Sequence, residues 1–238
     1  MSSSDILQSR FVQKVFHLLE TVSYFRAQTR DEHELIYRLR YDGNLREGTI
    51  DPNETGQLAD EYDELPSCFN LGVRFDGKLG AALRLHLLTR DTPKSVLVGA
   101  YPDIVPELVQ SGAVIIDVTR LVADFDMART RPGLPYVTVR LAMAAAEHFN
   151  ADFLLAAVRR EHIPFYRREF MARQLCEPRP YPTLVKPLAL FCIDFRNDFD
   201  AIAARHPFYR SSASERATLF GDPLTQVHDT TSAGYKLA

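Results

Sequence analysis

Cysteine is scarce in this chain: Cys68, Cys176 and Cys192 are the only three among 238 residues, widely spaced and odd in number. No disulfide framework and no CxxC metal pair can be read from them, and three reduced thiols point to a cytoplasmic protein. Long apolar runs are also missing. Segments such as Leu188–Ile193 fall far short of the roughly 20 residues that cross a bilayer, so no membrane span is expected. The first twenty residues carry no basic stretch followed by an unbroken apolar one, so no secretory signal is expected. Absent too are GxGxxG after a strand, GxxxxGK[ST], HExxH and GxSxG. Their absence removes the usual support for dinucleotide redox chemistry, nucleotide hydrolysis, zinc hydrolysis and the serine-hydrolase fold. Seven histidines show no metal-ligand spacing, so no metal site is expected. A net charge of −3 argues against a nucleic-acid partner.

What is present is the balance of a soluble globular protein, 46% apolar and 25% charged residues, in a chain long enough for one sizeable domain or two small ones. The charge is uneven. Between Met127 and Arg173 stand eight arginines, no lysine and four acids, a net +4 that leaves −7 for the rest. Such a segment is either a set of solvated helix faces or a basic surface for an acidic partner or a phosphate.

Apolar spacing predicts a helix over Ser4–Glu20 with Ser4 as N-cap, and β-branched and aromatic residues predict a strand over Val22–Gln28. Thr29 or Asp31 can cap a helix to about Tyr41. The polar, glycine-bearing stretch Asp42–Glu64 reads as a loop, and loops this long are functional or disordered. Asp76-Gly77 between apolar runs marks a hairpin. Arg84 and His86 lie on the less apolar face of its second strand, where they meet water or line a cleft. A short helix over Tyr101–Gln110 ends at Gly112. Val114–Val122 is apolar enough to be a central strand, and 123–133 reads as a loop. A helix over Pro135–Phe149, a strand over Asp152–Val158, a helix over Ile163–Leu175 and a last strand within Leu184–Phe195 follow. The polar remainder from Arg196 offers a short helix at Ser214–Phe220 and disorder at Asp229–Ala238. The order suggests an α/β domain: a mixed sheet with helices on its faces, and a parallel crossover over 114–158.

Charges inside apolar strands are the strongest chemical signal. VIIDVTRLV carries Asp117 and Arg120, and a buried unpaired charge is costly or changes its protonation. Three residues apart, the two fall on opposite faces of a regular strand. A β-bulge between them would bring both to one side. Mutual pairing, or pairing with Arg84, is the plain alternative to a ligand cleft. Two further constellations are Asp60-Glu61-Tyr62-Asp63, alone an acidic turn, and Arg40 in Tyr37-Arg38-Leu39-Arg40, alone an exposed arginine.

In order and approximate spacing, Arg40 in YRLR, Asp60 and Asp63 in DEYD, Arg84 in GAALR, and Asp117 with Arg120 in DVTR resemble the pattern of two related families. These are the acyl-homoserine-lactone autoinducer synthases and the FeeM-type N-acyl amino acid synthases, both GNAT-like acyltransferases. The match runs over 36–122. Phe165-Tyr166-Arg167, similar to the tyrosine-bearing helix of GNAT enzymes, carries a weaker one to about residue 175. The resemblance implies an α/β, GNAT-like mixed sheet, mostly antiparallel with a parallel β-α-β crossover and flanking helices, over residues 22–195. An N-terminal helix (1–21) precedes it, and a helical, partly disordered tail (196–238) follows.

The activity implied is transfer of a fatty acyl group from acyl carrier protein, or from acyl-CoA, to the amine of an amino acid. Acyl-phosphopantetheine is then a co-substrate, and no cofactor is tightly bound. Asp117 would take the ammonium proton, with Arg84 or Arg120 orienting it and His86 as second candidate base. Arg40 or Arg84 would clamp the acceptor carboxylate, and Tyr166 would protonate the leaving thiolate. Asp60 and Asp63 would hold the long loop over the site. The family's strand Glu is Asp117 here, one methylene shorter, which favours action through a water. The absence of Trp favours an N-acyl amino acid over a homoserine lactone. The GNAT pyrophosphate loop is not reproduced by Arg129, Arg131 and Gly133, which favours a carrier protein as donor, docked on the arginine-rich segment. The alternatives are a homoserine-lactone synthase, a non-catalytic protein that binds acyl groups or acyl carrier protein, and an acetyl-CoA N-acetyltransferase.

Overall fold

The computed structural model describes residues 3–221, with side chains from Arg10 onward. In chain order come α1 (Ser3–Leu19), β1 (Val22–Arg26), α2 (Arg30–Arg46), β2 (Cys68–Phe75), β3 (Lys78–Leu88), α3 (Val96–Ala100), α4 (Val105–Gln110) and β4 (Ile115–Ala123). There follow α5 (Phe125–Thr130), α6 (Leu134–His148), β5 (Phe153–Val158), α7 (Ile163–Phe170), β6 (Arg173–Gln174), β7 (Arg179–Tyr181), β8 (Leu184–Asp194), α8 (Phe195–Arg205) and α9 (Ala213–Phe220). The strands form one sheet in the order β1-β2-β3-β4-β5-β8-β6, with β7 also paired to β8. Every neighbouring pair is antiparallel except β4–β5, which is parallel and joined through α6. The expected mixed, mostly antiparallel α/β architecture is what the chain adopts.

Local chemistry sets the elements. Thr29 closes a capping box with Glu32 at the start of α2. Asp76 and Gly77 turn β2 into β3 with φ of +48° and +78°, the positive values a tight hairpin demands. α6 buries Val137 through Ala146 against the face of the sheet that carries Leu71, Leu83, Ile116, Val118 and Leu154. The opposite face receives α2 at Ala82 and Val122, and a cluster around Tyr101 in which α3, α4 and β7 meet β8.

Four expectations change. α2 runs on to Arg46 through Gly43, where any Cβ would collide with Val122 Cγ2, so the glycine serves close helix–sheet approach. The supposed loop 123–133 contains α5, capped by the Asp124 side chain. The helix over 163–175 stops at Phe170, where Met171 turns left-handed with φ +52° and the chain enters β6. Tyr101–Gln110 is preceded by α3, so two short helices stand where one was expected.

Beyond Arg196 the sequence looks polar, yet Phe199, Ile202, Phe208, Tyr209, Leu219 and Phe220 are buried in the main core. Arg140 on α6 binds Glu215 on α9 and the carbonyls of Phe208 and Arg210. On the other side, Val15 and Phe11 of α1 join the same cluster. The Ser4 cap and the disorder expected over 229–238 lie outside the described side chains and residues.

Candidate active site

Strand register assembles the site. Asn70, Arg84 and Thr119 stand opposite one another across β2, β3 and β4, and Cys68, His86 and Asp117 form the next row. Directly opposed residues share a face, so Arg84, His86, Asp117 and Thr119 all face α2 and the loop that follows it. Beyond Thr119 the register slips: Ala82 pairs with Val122, so Leu83 meets both Arg120 and Leu121. Arg120 at this bulge has φ +53°. The bulge expected between Asp117 and Arg120 is there, and it delivers Arg120 to the same side. Arg84 and His86 do not meet water; both are fully buried.

The long loop is tied onto this face by its acids. Asp60 and Asp63 cap a 3-10 turn over Glu61–Glu64 reciprocally. Arg40 Nη1 binds Asp63 at 2.8 Å and Nη2 binds Asn70 at 2.5 Å. Arg84 Nη1 reaches Asp60 at 2.5 Å and Asp63 at 3.0 Å, while its Nε donates to Thr119 at 3.2 Å. Arg120 Nη2 binds Asp60 at 2.7 Å and Thr183 at 2.9 Å. Burial opposes ionisation of Asp60, but Arg84 and Arg120 outweigh it and hold its pKa at about 2. Asp63 is likewise lowered, by Arg40 and Arg84 against burial. Arg40 and Arg84, expected to clamp a substrate carboxylate, are therefore bound to carboxylates of the chain itself.

Asp117 is different. It is fully buried, no arginine pairs with it, and His86 Nδ1 stands 3.9 Å away. Burial raises its pKa to about 7. His86 Nε2 donates to the Tyr62 carbonyl at 2.9 Å, so in the neutral ring Nδ1 is a bare acceptor facing the carboxyl. Burial, then the charge of Arg84, lowers the His86 pKa to about 4. The Ser95 hydroxyl lies beside Asp117 and is buried. Tyr181, buried on β7, also feels the carboxyl.

β4 and β5 pair from Ile115/Phe153 only as far as Val118/Ala156, after which β4 continues to Ala123 without β5. On the far face of this splay lies a cavity of about 20 Å³ lined by Val118, Met143, Ala156, Tyr166 and Phe191, among other apolar groups. Tyr166, raised to about 12 by burial, stands in that wall rather than in the Asp117 cluster. Gly133 caps α6, and a Cβ there would meet Leu18 of α1 at 3.0 Å. Arg129 is exposed beside Phe125, and Arg131 lies over the Phe75 ring at 5.0 Å. Ser95, Tyr181 and Thr183 escaped the sequence reading. Only Pro182, which forces a turn before β8, hinted at the last.

Among the described residues no three acidic, His or Cys groups gather to hold a metal, and no helix is long and apolar enough to cross a membrane. A mixed sheet in this order, with a parallel pair that splays, is the GNAT-like acyltransferase fold. Residues 35–194 match the family model of the N-acyl amino acid synthase FeeM, and the chain belongs to that family. The solved structure of FeeM, from uncultured soil microbes, superposes with a TM-score of 0.65 at 13% identity, over 79% of this chain and 97% of that one. BjaI, a CoA-dependent acyl-homoserine lactone synthase solved with MTA, gives 0.53 at 16% identity, over 79% and 89%. An acyl-CoA N-acyltransferase from Pseudomonas aeruginosa gives 0.51 at 18% identity, over 72% and 98%. At these identities the likeness is one of fold. No curated protein matches the chain in sequence.

Proposed function

We propose that this protein transfers a fatty acyl group from the phosphopantetheine thioester of an acyl carrier protein to the amine of an amino acid. The observation that carries the reading is Asp117: a fully buried carboxyl that no arginine pairs with, with a pKa of about 7, at the root of the β4–β5 splay. A general base works best when its pKa lies near the operating pH. The acceptor ammonium gives its proton to ionised Asp117. The free amine attacks the thioester carbonyl, the oxyanion is met by backbone N–H groups released where the strands part, and the C–S bond breaks as the second proton of the attacking nitrogen passes through Tyr166 to the thiolate, which leaves Tyr166 a phenol again. Products are an amide and the carrier thiol. The apolar cavity behind the splay takes the acyl chain, with Met143 and its neighbours shifting to enlarge it.

Neutral His86 flanks the carboxyl at 3.9 Å, while Asp60, Asp63 and the arginines hold the loop over that face of the sheet. The donor assignment rests on charge: Arg129 and Arg160 are exposed and Arg131 half-buried in the arginine-rich segment, which suits an acidic protein. Incubating the protein with acyl carrier protein charged with a fatty acid and a pool of amino acids should yield N-acyl amino acids by mass spectrometry. Amide formation only with acyl-CoA, or a lactone product from S-adenosylmethionine, would replace this reading with one of the alternatives.

A further inference from the structure

The buried network has an odd charge. Arg40, Arg84 and Arg120 meet only Asp60 and Asp63, so one positive charge is left over. Asp117 forms no ion pair with any of the three among the described residues; its neighbour His86 is neutral. Two guanidinium nitrogens of the network are buried without a hydrogen-bond partner, Arg40 Nε and Arg120 Nη1, and of the two side chains only Arg120 also holds an exposed residue, Thr183. Arg40 Nη1 and Nη2 and Arg84 Nε, Nη1 and Nη2 are taken by Asp63, Asn70, Thr119 and Asp60. Arg120 gives Nη2 to Asp60 and Thr183, while its Nη1 is buried with no hydrogen-bond partner, on a side chain only 5% exposed. A buried guanidinium N–H left without an acceptor is unfavourable until an anion satisfies it.

Thr183 supplies the second half. Its Oγ1 accepts from Arg120, which leaves the hydroxyl hydrogen to donate to another oxygen. Arg120 and Thr183 both hold left-handed backbone, φ +53° and +65°. That conformation is a genuine outlier for a β-branched residue, and strain of this kind gathers at ligand clamps. The two strained residues come from different elements, the β4 bulge and the turn between β7 and β8, and meet in one hydrogen bond. Three positions separate Arg120 from Asp117, a span of at most about 10 Å along a strand.

We propose that Arg120 Nη1 and the Thr183 hydroxyl form the clamp for the acceptor's carboxylate, so that the β7–β8 turn selects amines that carry an acid group. The proposal rests on the acyl-transfer reading above and assigns it a specificity residue, Thr183, outside the DEYD and DVTR motifs.

The test is equilibrium binding to the full chain by calorimetry, with two probes: N-decanoylglycine and its uncharged carboxamide. The acid should bind at least about 10-fold more tightly, as expected for a charge-assisted hydrogen bond to a buried group. Thr183→Val should shrink that preference several-fold, Thr183→Ser should retain it, and Arg120→Gln should abolish it. Equal affinity for acid and carboxamide in the native protein overturns the proposal, as does a preference that Thr183→Val leaves untouched. Turnover with a carrier-bound acyl donor separates the two claims. Acyl transfer that uses glycine and glycinamide equally well sinks the clamp and keeps the transferase. Acid-selective binding with no transfer to any amine does the reverse.

Discussion

Removing one charge at Asp117 should strengthen the fold while stopping the reaction. In the unfolded chain the carboxyl titrates near its ordinary 3.8, and in the folded protein near 7 because it is buried. Folding therefore disfavours the ionised form, the reverse of the usual salt-bridged aspartate. The contribution is favourable to folding below about pH 4, erodes as pH climbs from about 4 to about 7, and is fully lost above that. A displacement of this size corresponds to about 4 kcal/mol. Asp117→Asn keeps the shape and cannot ionise, so above pH 7 it should be more stable than the native protein by up to about 4 kcal/mol, and near pH 4 by almost nothing. Urea unfolding at pH 4, 6 and 8 reads this directly. The same variant should lose about 10²–10⁴ in kcat, the range for a general base, and the native pH–rate profile should rise with an apparent pKa near 7. A variant no more stable at pH 8 than at pH 4, relative to native, would refute the claim that this carboxyl is desolvated. Unaltered turnover would remove it from the chemistry.

Other outcomes follow from the same geometry. Asp63→Asn leaves Arg40 without its buried partner and should cost about 3–5 kcal/mol in urea unfolding, the range for breaking a buried pair from one side. Ala142→Leu narrows a cavity of about 20 Å³ and should shorten the acyl chains found in the products by mass spectrometry. Reversing charge at Arg129, Arg131 and Arg160 should weaken use of a carrier-bound acyl group at least several-fold and spare a short pantetheine donor. Equal loss with both donors would place these arginines elsewhere in the mechanism. Arg159 is left out of that set because Glu47 engages it at 2.6 Å.

Much of this was legible from residues alone, for physical reasons. Asp and Arg in VIIDVTRLV violate strand alternation unless a bulge intervenes, and the bulge is at Arg120. Asp76-Gly77 permits little besides a hairpin. DEYD marked the acidic turn, and pairing of Asp60 and Asp63 with arginines was expected; that two of these are Arg40 and Arg84 is decided by packing of α2 on the sheet. That same packing took the arginines away from the substrate role first given to them. Tyr166 was placed near the chemistry by resemblance; packing of α7 puts it in the wall of the apolar cavity. Thr183 and Ser95 were invisible, since a single hydroxyl in a loop carries no periodic signal. α8 was missed because Arg196, Asn197 and Asp198 mask Phe195, Phe199 and Ile202, which reach the core on one helical face.

The family match ends at Asp194 and begins at Leu35, yet Phe11, Val15, Phe208 and Phe220 complete the interior on both sides of those limits. Excising the stretch the family shares would leave α6 with one flank bare and Arg140 without Glu215. The stretch that the family model covers is thus smaller than the unit that closes the core here. The two outer segments act as walls around the chemistry they enclose.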